Sequence, residues 1–582
     1  MDALNRPLAG RVVRVNGPLV EVEGDVVASM LDVVMVGPQR ISAETVAIAG
    51  SRLTVQAYEY TGGLKVGAAV ESTGEPLSGL LGPGLLGNVF DGLMRPLSSA
   101  PTWLTADRPP ATHDPSVIDH LWTFVPTAAV GSVVTPGSVL GTVPDAGSLE
   151  HRVLVPWGVS GDVTWMAAEG SARALDVVAR VGGHAVRLSE SWPVRQPRPF
   201  LERLSEVVPL HTGQRVLDLL FPLARGAAAA VPGGFGTGKT MLLQQIAKWS
   251  DADVIVYVGC GERGNELADV LADLSTLVDE RTGGHLIDRT VIIANTSNMP
   301  MMARESSIYT GITVAEYYRD MGYDVVVIAD STSRWAEALR EFANRNGDLP
   351  AEEGYPAHLA SAVAAFYERA GRVTTLGGLP ASVTVIGAVS PPGGDLTEPV
   401  TTVTQRFVRS LWLLDRDLAY SRHYPAVSWT GSFARDVADL GRWHAAQGDS
   451  GWAERRGRAM GLLAEAERLS SLAEVIGQSS LPGHERVVLL GGRLLRDGVL
   501  LQNALKSQDS YCSDAKASAL LDLVIDVVDA CQRLVQRGVA ATTIEELDFG
   551  PVLRAREELD ADDAAGVDTR RRAFVDQLEQ VP

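Results

Sequence analysis

Eight consecutive residues carry the strongest chemical signal in the chain: Gly233, Gly234, Phe235, Gly236, Thr237, Gly238, Lys239 and Thr240. They match GxxxxGK[ST], follow an apolar run from Ala227 to Val231, and precede a helical period through Met241, Leu242 and Ile246. Glycines let backbone N–H groups turn inward around phosphate oxygens, and the start of the next helix adds its positive end. Lys239 is then placed to bridge β- and γ-phosphates, and the Thr240 hydroxyl to take one position on Mg²⁺. Strand, loop and helix in that order predict a nucleotide-phosphate site rather than a chance glycine turn.

Two further groups suit the same chemistry. Asp330 ends the apolar run Asp324-Val-Val-Val-Ile-Ala-Asp330, and a carboxylate at the end of a buried strand beside a phosphate loop is where Mg²⁺ is held. Glu262 and Arg263 directly follow a run from Val254 to Val258 and Gly259-Cys-Gly. Ends of parallel strands face the ligand crevice, so Glu262 is placed to polarise water and Arg263 to meet a γ-phosphate. From spacing alone, a surface ion pair explains them as well. Cys260 has no histidine partner nearby and reads as a small packed residue, and the ten histidines show no metal-ligand spacing. Glu266, Glu305, Glu337 and Asp395 read by default as solvated. Tyr424-Pro425 and Trp429 could offer a ring to a base, although core packing is the plainer reading of the residues themselves.

These residues need a scaffold, and the chain of 582 residues is long enough for several folding units. Alternating short runs up to about residue 70 predict a small barrel or sandwich. Residues 75–110 are rich in Gly and Leu and predict packed loops and short helices. A second β-rich stretch follows. From Trp122 to Val143 it is uncharged, but its prolines and glycines fit strands and turns better than a membrane span. Beyond about 205, strands alternate with helical periods, which predicts a parallel α/β sheet. Beyond about 435, only helical faces are evident, such as Leu520, Val524, Val527 and Leu534.

Composition excludes several classes. With 71 acidic against 51 basic residues, the net charge of −20 argues against a nucleic-acid binder. Three cysteines cannot frame a secreted disulfide scaffold, and the first residues lack the basic and apolar regions of a signal peptide.

Longer strings make the reading specific. Thr73-Gly-Glu-Pro-Leu-Ser, Gly82-Pro-Gly-Leu-Leu-Gly, Val258-Gly-Cys-Gly-Glu-Arg-Gly-Asn-Glu266, Ala294-Asn-Thr-Ser-Asn-Met-Pro300, Ala329-Asp-Ser-Thr-Ser-Arg-Trp-Ala-Glu337, Pro350-Ala-Glu-Glu-Gly-Tyr-Pro356 and Ser390-Pro-Pro-Gly-Gly-Asp395 accompany the phosphate loop. Over roughly residues 10–540 the chain resembles the catalytic A subunit (alpha chain) of bacterial and archaeal V-type/A-type ATPases and ATP synthases. The resemblance implies a multidomain fold: an N-terminal β-barrel (1–72), a P-loop, RecA-like α/β nucleotide-binding domain (73–111 and 189–435), an inserted β-rich domain (112–188) and a C-terminal helical domain (436–582).

The resemblance also implies ATP or ADP with Mg²⁺ as the cofactors. Gly233 to Thr240 would hold the phosphates, Thr240 and Asp330 would serve Mg²⁺, and Glu262 would orient water. Arg263 would contact the γ-phosphate region, and Tyr424, with Pro425 and Leu505, would hold the adenine. The implied partners are a B subunit, alternating with this chain in a hexamer and giving an arginine finger in trans, central and peripheral stalks, and a membrane sector that moves H⁺ or Na⁺. The implied place is the cytoplasmic face of the membrane, with no nucleic acid involved. Two residues depart from the usual pattern. Leu505 stands where relatives carry an aromatic, and Gly234 where proline is common. The rival classes are a secretion-associated hexameric ATPase, a ring-shaped nucleic-acid translocase and a regulatory, non-catalytic nucleotide-binding chain.

Overall fold

A computed structural model describes residues 10–97, 114–279, 282–347 and 349–581. The expected lack of a signal segment at residues 1–9, and the expected loops and short helices over residues 98–110, fall outside the described residues. The chain gathers into two compact units. One comprises Met1–Ser205, Ala252–Val389 and Thr397–Phe407, and the other Glu206–Asp251, Ser390–Leu396 and Val408–Pro582.

The first unit opens with a closed six-stranded barrel, ordered Gly10–Asn16, Leu19–Glu23, Arg52–Ala57, Ile41–Ala49, Asp32–Val36 and Ala69–Pro76. Alternation of side chains puts Val12, Val20, Val22, Val34, Val36, Val55 and Val70 inside, and closure leaves no unpaired edge. The inserted stretch forms two four-stranded antiparallel sheets, with two small apolar clusters that each draw residues from both sheets. Its uncharged run supplies the strands Leu121–Pro126, Val133–Val134 and Val139–Val143, with Gly131 and Gly137 in the left-handed region between them. Among the described residues, no helix is long and apolar enough to cross a membrane.

Between barrel and insert, the structure corrects the expectation of loops and short helices. Ser78–Leu81 is a strand paired antiparallel with Glu190–Pro193, and Val89–Phe90 is a strand paired parallel with Thr290–Thr296. Both partners lie more than a hundred residues away, so a local period carries no trace of them.

The parallel sheet of the first unit runs Pro380–Val389, Asp324–Asp330, Val254–Glu262, Thr290–Thr296 and Val89–Phe90. Its middle strands are buried along almost their whole length, which is why they read as unbroken apolar runs. Helices Met301–Asp320 and Thr332–Asn346 pack on it.

In the second unit, Ala228–Pro232 pairs parallel with Ser410–Leu411, which in turn pairs antiparallel with Phe433–Ala434. Four longer helices follow: Trp452–Ile476, Gly483–Leu495, Asp514–Gln536 and Ala564–Glu579. The first two approach closely because Gly492 lacks a side chain, and a Cβ there would lie 2.4 Å from the Ala466 Cβ. The barrel, the β-rich insert, the α/β core and the helical end expected from the sequence are all present.

Candidate active site

The phosphate-loop motif leaves the strand Ala228–Pro232 and enters the helix Lys239–Trp249. Gly236 and Gly238 hold φ of 79° and 84°, a region that side chains disfavour, and Gly238 forms the cap of the helix. The cap, being a glycine, puts no side chain of its own on the first N–H groups of that helix, whose positive end meets the loop. Lys239 folds back over the loop, with Nζ donating to the Gly233 carbonyl at 3.3 Å and to the Ser390 hydroxyl. Inside the loop, the Thr237 hydroxyl donates to the Gly234 carbonyl at 2.9 Å. Thr240 is exposed on the first turn of the helix, and Phe235 stands 92% exposed at the tip.

Around this loop the second unit gathers residues from far along the chain. A Cβ on Gly238 would lie 3.0 Å from the Tyr424 ring, so the ring rests directly on the loop backbone. Tyr424 is 39% exposed, which overturns core packing as its role. The peptide between it and the half-buried Pro425 is cis. The Tyr424 carbonyl accepts from the Gln502 N–H at 2.8 Å, which ties the Leu501–Leu505 stretch beside it. Leu505 is 90% exposed. Arg416 donates to the Gly393 carbonyl at 2.8 Å and lies over Gly234, where a Cβ would come within 3.0 Å of its Nε. Glycine rather than proline at 234 therefore leaves room for this arginine. Ser390 opens one of the strings that carry the resemblance but had no role there, and Arg416 lies in none of them. Only their return to the loop in three dimensions reveals them.

The carboxylates form a second group, within the first unit. Val254–Glu262 and Asp324–Asp330 run side by side with Gly259 opposite Asp330. The Tyr257 hydroxyl, buried beneath them, donates to Asp330 Oδ2 at 3.3 Å. At the end of its strand the register slips between Cys260 and Glu262, and Gly261 takes φ of 73°. Such a bulge re-aims the residue after it. Burial first, then the charge of Asp330 and a hydrogen bond with Glu266, push the Glu262 carboxyl up to about 8 against the opposing pull of Arg334. A carboxyl tuned this way is matched to taking a proton near neutral pH.

Arg263 is exposed, 3.8 Å from Glu266. The default of solvated acids fails at Glu305, while Glu266 keeps a side chain 41% exposed. Glu266 is bonded to Glu262, and Glu305 is buried against Arg195 at 2.6 Å. Cys260 is buried as expected, its thiol pushed up to about 12 by burial and donating to the Arg304 carbonyl.

Residues 213–434 match the nucleotide-binding domain of the ATP synthase alpha/beta family, residues 12–74 its beta-barrel domain and residues 117–195 its barrel-sandwich domain. Residues 442–544 match the C-terminal domain of V and A type ATP synthase. The V-type ATP synthase alpha chain of Nitrosococcus oceani is 50% identical, covering 94% of this chain and 93% of its own. The chain belongs to the ATP synthase alpha/beta family. Within it, the V/A-type branch is marked by two more relatives, both the A subunits of A-type ATP synthases. That of Methanopyrus kandleri is 46% identical, covering 94% of this chain and 93% of its own, and that of Haloferax volcanii is 44% identical, covering 98% of each. A solved structure of the ATPase EscN, from the type III secretion system of enteropathogenic E. coli, superposes with a TM-score of 0.63 at 20% identity. It covers 89% of this chain and all of that one, a likeness of fold.

Proposed function

We propose that this family member is the catalytic chain of a V/A-type rotary ATP synthase or ATPase. It hydrolyses or forms ATP at Mg²⁺-dependent sites completed by a B subunit, and stalk subunits couple those sites to H⁺ or Na⁺ movement in a membrane sector. The observation that carries this reading is the phosphate loop itself, joined to its helix through Gly238 and with Lys239 folded across it. Lys239 and the loop N–H groups bind the β- and γ-phosphates, drawing Lys239 off Ser390. The Thr240 hydroxyl and Asp330, the latter oriented by Tyr257, are the groups that would hold Mg²⁺, which when bound would neutralise phosphate charge. Glu262 accepts the proton of the attacking water, while Arg263 meets the γ-phosphate. Tyr424, Pro425 and Leu505 form the adenine end. The chain sits peripherally on the cytoplasmic face of the membrane.

The test is Lys239→Ala in the complex assembled from washed membranes. Loss of ATP hydrolysis by about 10³-fold or more is expected, since electrostatic stabilisation of the transferred group is removed. Full activity would end the catalytic reading. The native mass of the same particle tests the partners: alternating copies of this chain and a paralogue on a stalk support the rotary assignment, and a homohexamer overturns it.

A further inference from the structure

We propose that Arg215, acting through Gln502 and Asp509, is a positioning residue for the base end of the nucleotide site. The inference rests on Tyr424 and Leu505 being that end. Leu505 lies on an exposed stretch with little to order it locally beyond its own N–H, which donates to Asn503 Oδ1 at 2.9 Å. What holds the stretch is buried polar bonding from elsewhere in the same unit.

Arg215 opens the helix Arg215–Leu220, shortly before the strand that feeds the phosphate loop, and its side chain is fully buried. Its Nε donates to the Val499 carbonyl at 2.6 Å, and its Nη2 donates to the Leu501 carbonyl and to Asp509 Oδ1, each at 2.7 Å. Its backbone N–H donates to Gln502 Oε1 at 2.9 Å. Gln502 answers by donating from Nε2 to the Gly213 carbonyl at 2.8 Å and from its backbone to the Tyr424 carbonyl. Asp509, held by Arg215 and Arg556, accepts from the Asn503 N–H at 2.8 Å.

The carbonyls of residues 499 and 501 and the amides of 502 and 503 are thus all engaged by this buried group or by Tyr424. A planar guanidinium with several donors suits such a task, and a lysine, with one nitrogen, cannot span two carbonyls and a carboxylate in the same geometry. None of these bonds reaches Lys239, Thr240 or the carboxylates. Loosening the group therefore slackens the grip on the base and leaves the chemistry of the phosphates alone.

Steady-state hydrolysis by the assembled complex tests this with Arg215→Lys and Gln502→Met, using Tyr424→Ser as the reference for the base end. The expected result is a KM for MgATP raised at least about fivefold in either variant, the cost of one loosened polar contact, with kcat within twofold of the parent. Tyr424→Ser should raise KM in parallel. A fall in kcat, whatever KM does, overturns the proposal, because a general structural defect would then account for the loss. An unmoved KM in both variants, with KM raised by Tyr424→Ser, overturns it and leaves the base-end reading intact. If Tyr424→Ser leaves KM unmoved as well, the base-end reading itself falls. Where Arg215→Lys fails to assemble, Gln502→Met decides between these outcomes, since it keeps the Arg215–Asp509 charge pair.

Discussion

Glu262 sits where several influences on one proton meet. Burial, the neighbouring Asp330 and the bond with Glu266 all favour its neutral form, and Arg334 opposes them. A carboxyl raised to about 8 in the folded chain keeps its full contribution to stability below 4.5. It costs stability progressively as pH rises from 4.5 through 8. Glu262→Gln should therefore gain in melting temperature over the parent as pH climbs from about 5 to 8, then level off. On the proposed role of Glu262 as the base that takes the water proton, the same substitution should cut hydrolysis by about 10²–10⁴-fold. Melting curves at stepped pH and one activity assay check both. At this scale the sequence was most readable where chemistry demands a string of fixed types, as in Gly233 to Thr240. It was least readable where one residue works on another across the fold. Tyr257 under Asp330, Ser390 on Lys239 and Arg416 over Gly234 belong to separate segments, and no spacing rule joins them.

Elements were legible in proportion to how local their causes are. The buried strands of the parallel sheet announce themselves as apolar runs, and the C-terminal helices as periodic faces. The strands Ser78–Leu81 and Val89–Phe90 exist only because distant partners bond to them. Elements are also locked by buried charge. Arg195 reaches Glu44 on the barrel strand Ile41–Ala49 at 3.2 Å and Glu305 on the helix Met301–Asp320 at 2.6 Å, with its guanidinium 4.9 Å from the Tyr309 ring centre. Both carboxylates are buried, and burial raises the Glu44 carboxyl in spite of the arginine. Replacing Arg195 with Met strands two acids without a counter-charge. The expected cost is about 3–5 kcal/mol in chemical denaturation of the full chain, the scale for breaking a buried ion pair by removing one partner. A change below about 1 kcal/mol would show that the acids simply take up protons at little cost.

At the scale of the whole molecule, the phosphate loop and the carboxylate pair belong to different compact units. On the proposed reading, in which a B subunit gives the transition-state arginine, the chain by itself is expected to hydrolyse ATP slowly. Adding the paralogous B chain should raise the rate by about 10³-fold or more, and removal of Mg²⁺ with a chelator should abolish it. A turnover assay on the isolated chain before and after reconstitution decides this. Fast hydrolysis by the isolated chain would mean that the arginine is already in place.

The parallel pairing of Val89–Phe90 with Thr290–Thr296 also sets a timetable for synthesis. A ribosome adding about 5–20 residues each second needs roughly 10–40 s to travel from one strand to the other. Throughout that interval the strand Val89–Phe90 has been made and the strand it must join has not. The inserted sheets lie wholly between the two in sequence, and after them Glu190–Pro193 pairs back onto Ser78–Leu81. The strand that returns from the insert is thus available to cover Ser78–Leu81 well before the rest of the sheet is made.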